Sequence, residues 1–464
     1  MPQHPDQLTL LKKTFLIFFL AALAIACKAQ SIFTPAVENT AFLQEHITRY
    51  EKSYKDRMAA LPAENKKDYQ DIYTVRWKLI REKFDDKEVY TDPVAQQYLN
   101  ALVNEIVGAN PLLKGKSFSC FFSRSGTPNA SYLGEGIILF NMGLFKRLAN
   151  ESQAAFVICH ELAHFYLQHS DESIRKYVTT INSAEVQREL RKIKQTEYRK
   201  REQLDKLVTG FAFNTRRHGR NNETDADSLA VEFMKATRFD ATQAISTLQL
   251  LDTIDTDSLD MTTTLQKVFH LKDYPFQKRW IAVEAGLLGG HAKIKTDQSY
   301  IDSLKTHPDC KIRMKVLQSL LTRSPQQSLQ VAAATTTSFA ELQKLFNYEI
   351  VEYAYTSGNY TRCLFYTLEM LKEHQADPYL TTQVGKLFNS MFEAQKNHTL
   401  GKFIELPSPN QPEHYNVLLQ FIQNLYREEY ASISYHYLKQ FTPILDHYLP
   451  FKNVYSSSIQ MAQR

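Results

Sequence analysis

A chain of 464 residues, 43% hydrophobic and 23% charged, is long enough for two or three domains with full cores, and its low Gly and Pro content is ordinary for a soluble protein. Its net charge of +5 is small for that length, and no basic patch is interleaved with aromatics, which argues against a nucleic-acid-binding protein.

The N-terminus reads as a targeting segment. Lys12 and Lys13 form a charged start, Thr14 to Ile25 is an apolar stretch too short for a membrane span, and small residues follow at Ala24, Ala26 and Ala29. Cleavage after Ala29 makes 1–29 a signal peptide. Cleavage after Ala26, where Ala24-Ile25-Ala26-Cys27 resembles a weak bacterial lipobox, makes 1–26 a lipoprotein signal and Cys27 the site of a lipid anchor. Either route carries the mature chain across the inner membrane to the periplasm or the outer membrane. No later segment is long and apolar enough to form a transmembrane helix. Cys120, Cys159, Cys310 and Cys363 have no C-x-x-C pairing and no metal spacing with His, so they make no disulfide framework.

From Gln30 to about Pro111 the pattern is helical. Phe42, Ile47 and Tyr50 have helical spacing, Ile72 to Ile80 is amphipathic, and Thr91-Asp92-Pro93 starts a helix that runs to about Val107 and buries Tyr98, Leu102 and Ile106. Ser117 to Ser123 alternates Phe118, Cys120 and Phe122 with serines and reads as a strand. Gly126 to Ala130 is a turn, and Gly136 to Asn141 is a second strand that pairs with the first in a small sheet. An extended substrate is expected to add a strand to the edge of Gly136–Asn141.

Asn150 caps the next helix, whose apolar run Ala154–Cys159 leads into His160-Glu161-Leu162-Ala163-His164. Positions i and i+4 share one face of a helix, so His160 and His164 can present imidazole nitrogens to one cation, and Zn²⁺ accepts such ligands. Glu161, beside that face, is placed to act as a general base. A buried helix does not carry His, Glu and His without partners, because unpaired buried polar groups cost several kcal/mol each, on the order of 2–7.

A catalytic zinc site needs a third protein ligand. His169 lies five residues past His164 and is turned away from the ligand face. The metzincin completion is absent, since its Gly and His positions are Leu167 and Ser170. After a long charged helix, Ala184 to Val208, whose basic face is either solvated or a contact for acidic lipid or a partner, comes a helix with Glu223 and Asp227 one turn apart. Glu223 is the expected third ligand, and Asp227 is expected to hold a ligand imidazole.

These pieces together resemble the HtpX-like and CAAX-prenyl-protease-like family of zinc metalloendopeptidases, of the gluzincin type, over roughly Thr91 to Arg313. His160 to His164 with His169 looks like the family's HExxHxxxxH, and Arg220-Asn-Asn-Glu223-Thr-Asp-Ala226-Asp227 looks like its RxxExxAD. Asn129-Ala130, Gly136 and Gly143-Leu144 look like its strand and loop before the active-site helix, and Thr306-His307-Pro308-Asp309 with Arg313 resembles its late THPxxxxR segment. The resemblance implies one Zn²⁺ per chain on His160, His164 and Glu223, with Glu161 as the catalytic base and Asp227 orienting a ligand. It implies for His307 either approach to the zinc, holding the enzyme inactive, or a plain helix start beside Pro308. Family members with several transmembrane helices differ from this chain, which looks more like the secreted, periplasmic branch.

Beyond about Ser324 no metal-ligand pattern appears. Gln326 to Thr337 reads as a linker, and helices follow from Phe339. Tyr355-Thr-Ser-Gly358-Asn359-Tyr360 resembles the turn of a tetratricopeptide repeat (TPR-like), and a plain helical bundle fits the same pattern. The expected fold is therefore α+β and mostly helical: a zincin-like metallopeptidase domain with a small sheet over 30–324, then an all-α domain over 325–464 that binds protein partners if the repeats are real. The expected activity is zinc-dependent endoproteolysis of protein or peptide substrates in the cell envelope, with protein quality control as the expected setting. The alternative is a chaperone-like or binding protein with a latent or structural zinc site.

Overall fold

A computed structural model of the chain describes residues 32–195, 219–254, 259–282, 310–324, 326, 337–408 and 411–463. The expected signal segment with Cys27, residues 196–208 of the charged helix, His307 with its motif, and most of the expected linker lie outside the described residues. The chain divides into two units, Met1–Thr34, of which 32–34 are described, and Pro35–Arg464, which carries everything below.

Three helices come first: α1 (Thr40–Ala59), α2 (Lys66–Asp85) and α3 (Pro93–Ala109). Asp92 caps α3 by accepting from the Ala95 N–H at 2.9 Å, with Pro at the first turn, where its missing N–H leaves no hydrogen bond unmade. The sheet follows as β1 (Ser119–Ser123), β2 (Ala130–Gly134) and β3 (Ile137–Asn141), in spatial order β1-β3-β2. β3 pairs with β1 in parallel and with β2 antiparallel.

β3 is therefore the central strand. It has no free edge, and the expectation that substrate adds to Gly136–Asn141 is wrong; the edge near the motif helix belongs to β2. The position of β3 also explains its composition. Ile138 and Phe140 face a core shared with the motif helix, whereas Ile137 and Leu139 face a second core with Leu43, Ile47 and Phe84 from α1 and α2. A strand buried on both faces reads as a continuous apolar run, and each such side chain contributes about 1.5–3 kcal/mol by burial.

A short turn of helix, α4 (Met142–Phe145), leads to α5 (Glu151–Tyr166), the motif helix. It packs against α3, β2, β3 and α9 (Gln243–Thr253), so all sides of its first half are covered. Then come α6 (His169–Ile181), α7 (Ala184–Gln195), α8 (219–235), α10 (Met261–Phe269) and α11 (Cys310–Arg323), with α11 lying against α9. The four described cysteines are buried, and none of them forms a disulfide among the described residues.

The C-terminal region is helical. α12 (Thr337–Thr356) and α13 (Tyr360–Leu371) form a hairpin that turns at Gly358, where φ is +79°, and restarts at Asn359, whose side chain caps Arg362. α14 (Pro378–Lys396), α15 (Glu413–Asn424), α16 (Arg427–Lys439) and α17 (Leu449–Ala462) complete it. Phe339, Leu342, Phe346 and Ile350 of α12 belong to the same core as the motif helix. Phe145 packs on Phe339 and Phe346, and Gln343 donates to the backbone carbonyls of Phe145 and Leu148. No helix among the described residues is long and apolar enough to cross a membrane.

Candidate metal centre

The Asn150 side chain accepts from the Gln153 N–H at 3.0 Å and fixes where α5 begins. That start sets the phase of the helix and turns His160 and His164 to one side, toward α8. Their Nε2 atoms lie 3.0 Å apart. Glu223 of α8 reaches between them, with one carboxylate oxygen 3.5 Å from His160 Nε2 and the other 3.4 Å from His164 Nε2. Donor atoms of these three residues all lie within 4.8 Å of one another, and they are the metal-competent grouping found among the described residues.

The donor set fits a zinc ion. Ligands at about 2.0–2.1 Å from a tetrahedral zinc stand about 3.3 Å from one another, close to the three separations here. Charge agrees with distance. Glu223 and Asp227 face one guanidinium, Arg313, and Glu161 lies beside His160 on the motif helix, so with neutral imidazoles the formal balance of these four charged groups calls for two positive charges. Burial opposes a proton on His160, but its bonds to Asp227 and Glu223 overcome that and push it up to about 10.

The carboxylates are themselves held. Asp227 is 1% exposed, and its Oδ1 lies 2.9 Å from His160 Nδ1, which directs the ring's other nitrogen toward Glu223. Arg313 of α11 donates to both oxygens of Asp227 at 2.6 and 2.8 Å, and its third nitrogen stands 3.1 Å from Glu223. Burial alone would raise both acids. For Asp227 the hydrogen bonds from Arg313 and His160 outweigh it, and for Glu223 those with His160 and His164 do, so both stay below their usual range.

Glu161 is 7% exposed and accepts the Tyr132 backbone N–H at 2.6 Å. Tyr132 lies on β2, so its N–H points out from the free edge of the sheet toward the helix. His169, set aside as a ligand by its spacing, stands behind His164 with Nδ1 2.9 Å from His164 Nδ1. Burial and the facing His164 hold it down at about 4, so it is neutral at physiological pH.

The structure thus brings together His160, Glu161, His164, Glu223 and Asp227. His307 lies outside the described residues. Three contributors escaped the sequence reading. Arg313 appeared there only as the end of a motif, although a guanidinium at the i+3 place of the stripe Cys310, Arg313, Leu317 on α11 signals a buried ion pair. Tyr132 acts through its backbone, which no side-chain pattern reveals. For His169 the five-residue spacing excluded a ligand but not a partner to one.

Residues 93–321 match the sequence model of peptidase family M48. No curated protein matches the chain in sequence.

Proposed function

The chain belongs to peptidase family M48 through residues 93–321, a family of zinc metallopeptidases, and from that premise we propose that it is a zinc-dependent endopeptidase acting on protein substrates in the bacterial cell envelope. The observation that carries this reading is the convergence of His160, His164 and Glu223 on one point, with Glu161 beside it on the same helix.

His160, His164 and Glu223 would hold the ion. When bound, zinc supplies Lewis acidity, polarising a peptide carbonyl and acidifying an attacking water. Glu161 takes the proton from that water and delivers it to the departing amine. The Tyr132 N–H keeps the Glu161 carboxylate aimed across the free edge of β2. In an antiparallel strand alternate residues turn their backbone groups the same way, so Ala130 shares this outer side with Tyr132 and offers hydrogen bonds to an extended peptide. Asp227 fixes His160 in the tautomer that presents Nε2, and Arg313 keeps Asp227 ionised.

The expected export signal, with or without a lipid anchor at Cys27, supports placement in the periplasm or at the outer membrane. The C-terminal helices are proposed to bring protein partners or substrates to the site. The test is reversible metal dependence. Casein hydrolysis by the purified chain should stop on chelation and return with one equivalent of zinc per chain. Hydrolysis that survives removal of all bound zinc would overturn the proposal.

A further inference from the structure

The β2–β3 hairpin turns through Gly134, Glu135 and Gly136, with φ of +98°, +52° and +78°. Glu135 is a residue with a side chain in the left-handed region, which is unfavourable unless its surroundings hold it there. They do. Its carboxylate accepts from Arg57 Nε and Arg76 Nη2 at 2.6 Å each and from the Ser53 hydroxyl at 2.7 Å. The same two arginines meet Asp171 at 3.0 and 3.1 Å, and the Tyr73 hydroxyl adds a bond at 3.3 Å. Two carboxylates and two guanidiniums thus close on one another.

Beside this cluster opens a cavity of about 290 Å³, whose lining includes Tyr132, Phe165, Gln168, Arg49 and Lys116. It adjoins the candidate metal centre. Tyr132 is the residue whose N–H reaches Glu161, and Phe165 directly follows His164. Tyr132 both lines the cavity and meets Glu161, so a peptide running along the outer edge of β2 past Glu161 also passes this cavity.

The charges around the cavity do not cancel. Glu135 and Asp171 also line it, but Arg57 and Arg76 neutralise them. Arg49 is exposed and, among the described residues, its ion pair is with the exposed Glu45 of its own helix, at 3.0 Å. Lys116 is exposed, and among the described residues no carboxylate pairs with it. Lys116 therefore leaves the cavity with outstanding positive charge, and Arg49 adds a cation whose exposed pair with Glu45 is weak. The cavity is also lined by the buried Tyr50.

We propose that this cavity is a specificity pocket that receives an acidic side chain of the peptide substrate, with Lys116 and Arg49 as the recognising charges. This rests on the metallopeptidase reading of the adjoining centre. Arg57 and Arg76 serve as positioning residues, holding the hairpin and keeping the two resident carboxylates from repelling the incoming one.

The test separates recognition from cleavage. Fluorescein-labelled decapeptides, identical except for Glu, Gln or Lys at each position in turn, are titrated into the zinc-loaded Glu161→Gln chain and binding is read by polarisation. The same peptides are cut by the wild-type chain and the cut sites mapped by mass spectrometry. At one fixed position from the cut, Glu should bind and react about fivefold better than Gln, with Lys weakest, as expected for one exposed charge pair. Arg49→Glu with Lys116→Glu should reverse that order; both residues are exposed, so the fold tolerates the change. Equal binding of Glu, Gln and Lys at every position, or a preference unchanged in the double variant, would overturn the pocket. A wild-type chain that selects acidic peptides but never cuts them would instead sink the metallopeptidase reading and leave the charge recognition standing.

Discussion

Replacing Arg313 by Met tests how the centre is supported. Arg313 is 3% exposed and its fork holds both oxygens of Asp227, which is 1% exposed. Methionine fills much of the same volume but leaves the Asp227 carboxylate buried with His160 alone. Breaking a buried pair from one side costs about 3–5 kcal/mol, because the remaining charge stays desolvated. Spread over a folded unit of this size, that corresponds to about 3–5 °C in unfolding midpoint, measured by circular dichroism on the zinc-free chain. Zinc affinity, read by competition with a chromophoric chelator, should fall about 10- to 100-fold, the usual effect of losing a group that holds a ligand. A double variant with Asp227→Asn removes the stranded charge, so it should unfold at a higher temperature than Arg313→Met alone, yet bind zinc no better. Arg313→Met with wild-type midpoint and zinc affinity would refute the reasoning that Arg313 supports the site through Asp227.

Other outcomes follow from neighbouring contacts. Tyr132→Pro deletes the N–H that Glu161 accepts on a free sheet edge where proline is tolerated; peptide cleavage should drop at least about tenfold with zinc content unchanged. A Cβ at Gly126 would stand 2.4 Å from the Tyr366 ring, and one at Gly143 2.1 Å from the Gly126 carbonyl oxygen. Both Ala variants should lose about 1–3 kcal/mol by overpacking, and Tyr366→Ala should rescue Gly126→Ala but not Gly143→Ala, where backbone is in the way. Burial works to raise Glu405, but its bonds to Arg362 and Asn359 hold it below the usual carboxylate range. A depressed carboxyl adds stability above its unfolded pKa, about 4.5, and loses it as pH falls through the folded value. Glu405→Gln should therefore destabilise by about 1 kcal/mol or less at pH 7, with the gap closing below pH 4 in thermal melts.

The parts of the fold that speak through side-chain periodicity were legible. Thr91-Asp92-Pro93 and Asn150 mark helix starts because capping is local chemistry, and the structure places caps at Asp92 and Asn150. His160, His164 and Glu223 were legible because one helical turn and one later helix define their relation. β2 was missed. Its sequence, Ala-Ser-Tyr-Leu-Gly, has one half-buried edge and follows a turn, so it lacks the apolar run of a central strand. For the same reason the edge offered to substrate was placed on β3, the more apolar strand, which is buried between two partners. Nor did any local pattern show α12 entering the core of the motif helix. Phe339, Phe346 and Phe145 look like ordinary amphipathic positions until the chain brings them together. Long-range pairing of charges, Arg57 with Glu135 or Arg313 with Asp227, likewise depends on which helices meet, a property of the whole chain.

The most direct test of the account is a paired measurement on wild type and Glu161→Gln: zinc per chain by atomic absorption, and casein hydrolysis on the same samples. The account predicts one zinc in both proteins and cleavage in the wild type alone, because Glu161 moves protons and does not bind the metal. Cleavage at the wild-type rate by the zinc-loaded Glu161→Gln chain, or a folded wild type that binds no zinc, would contradict it.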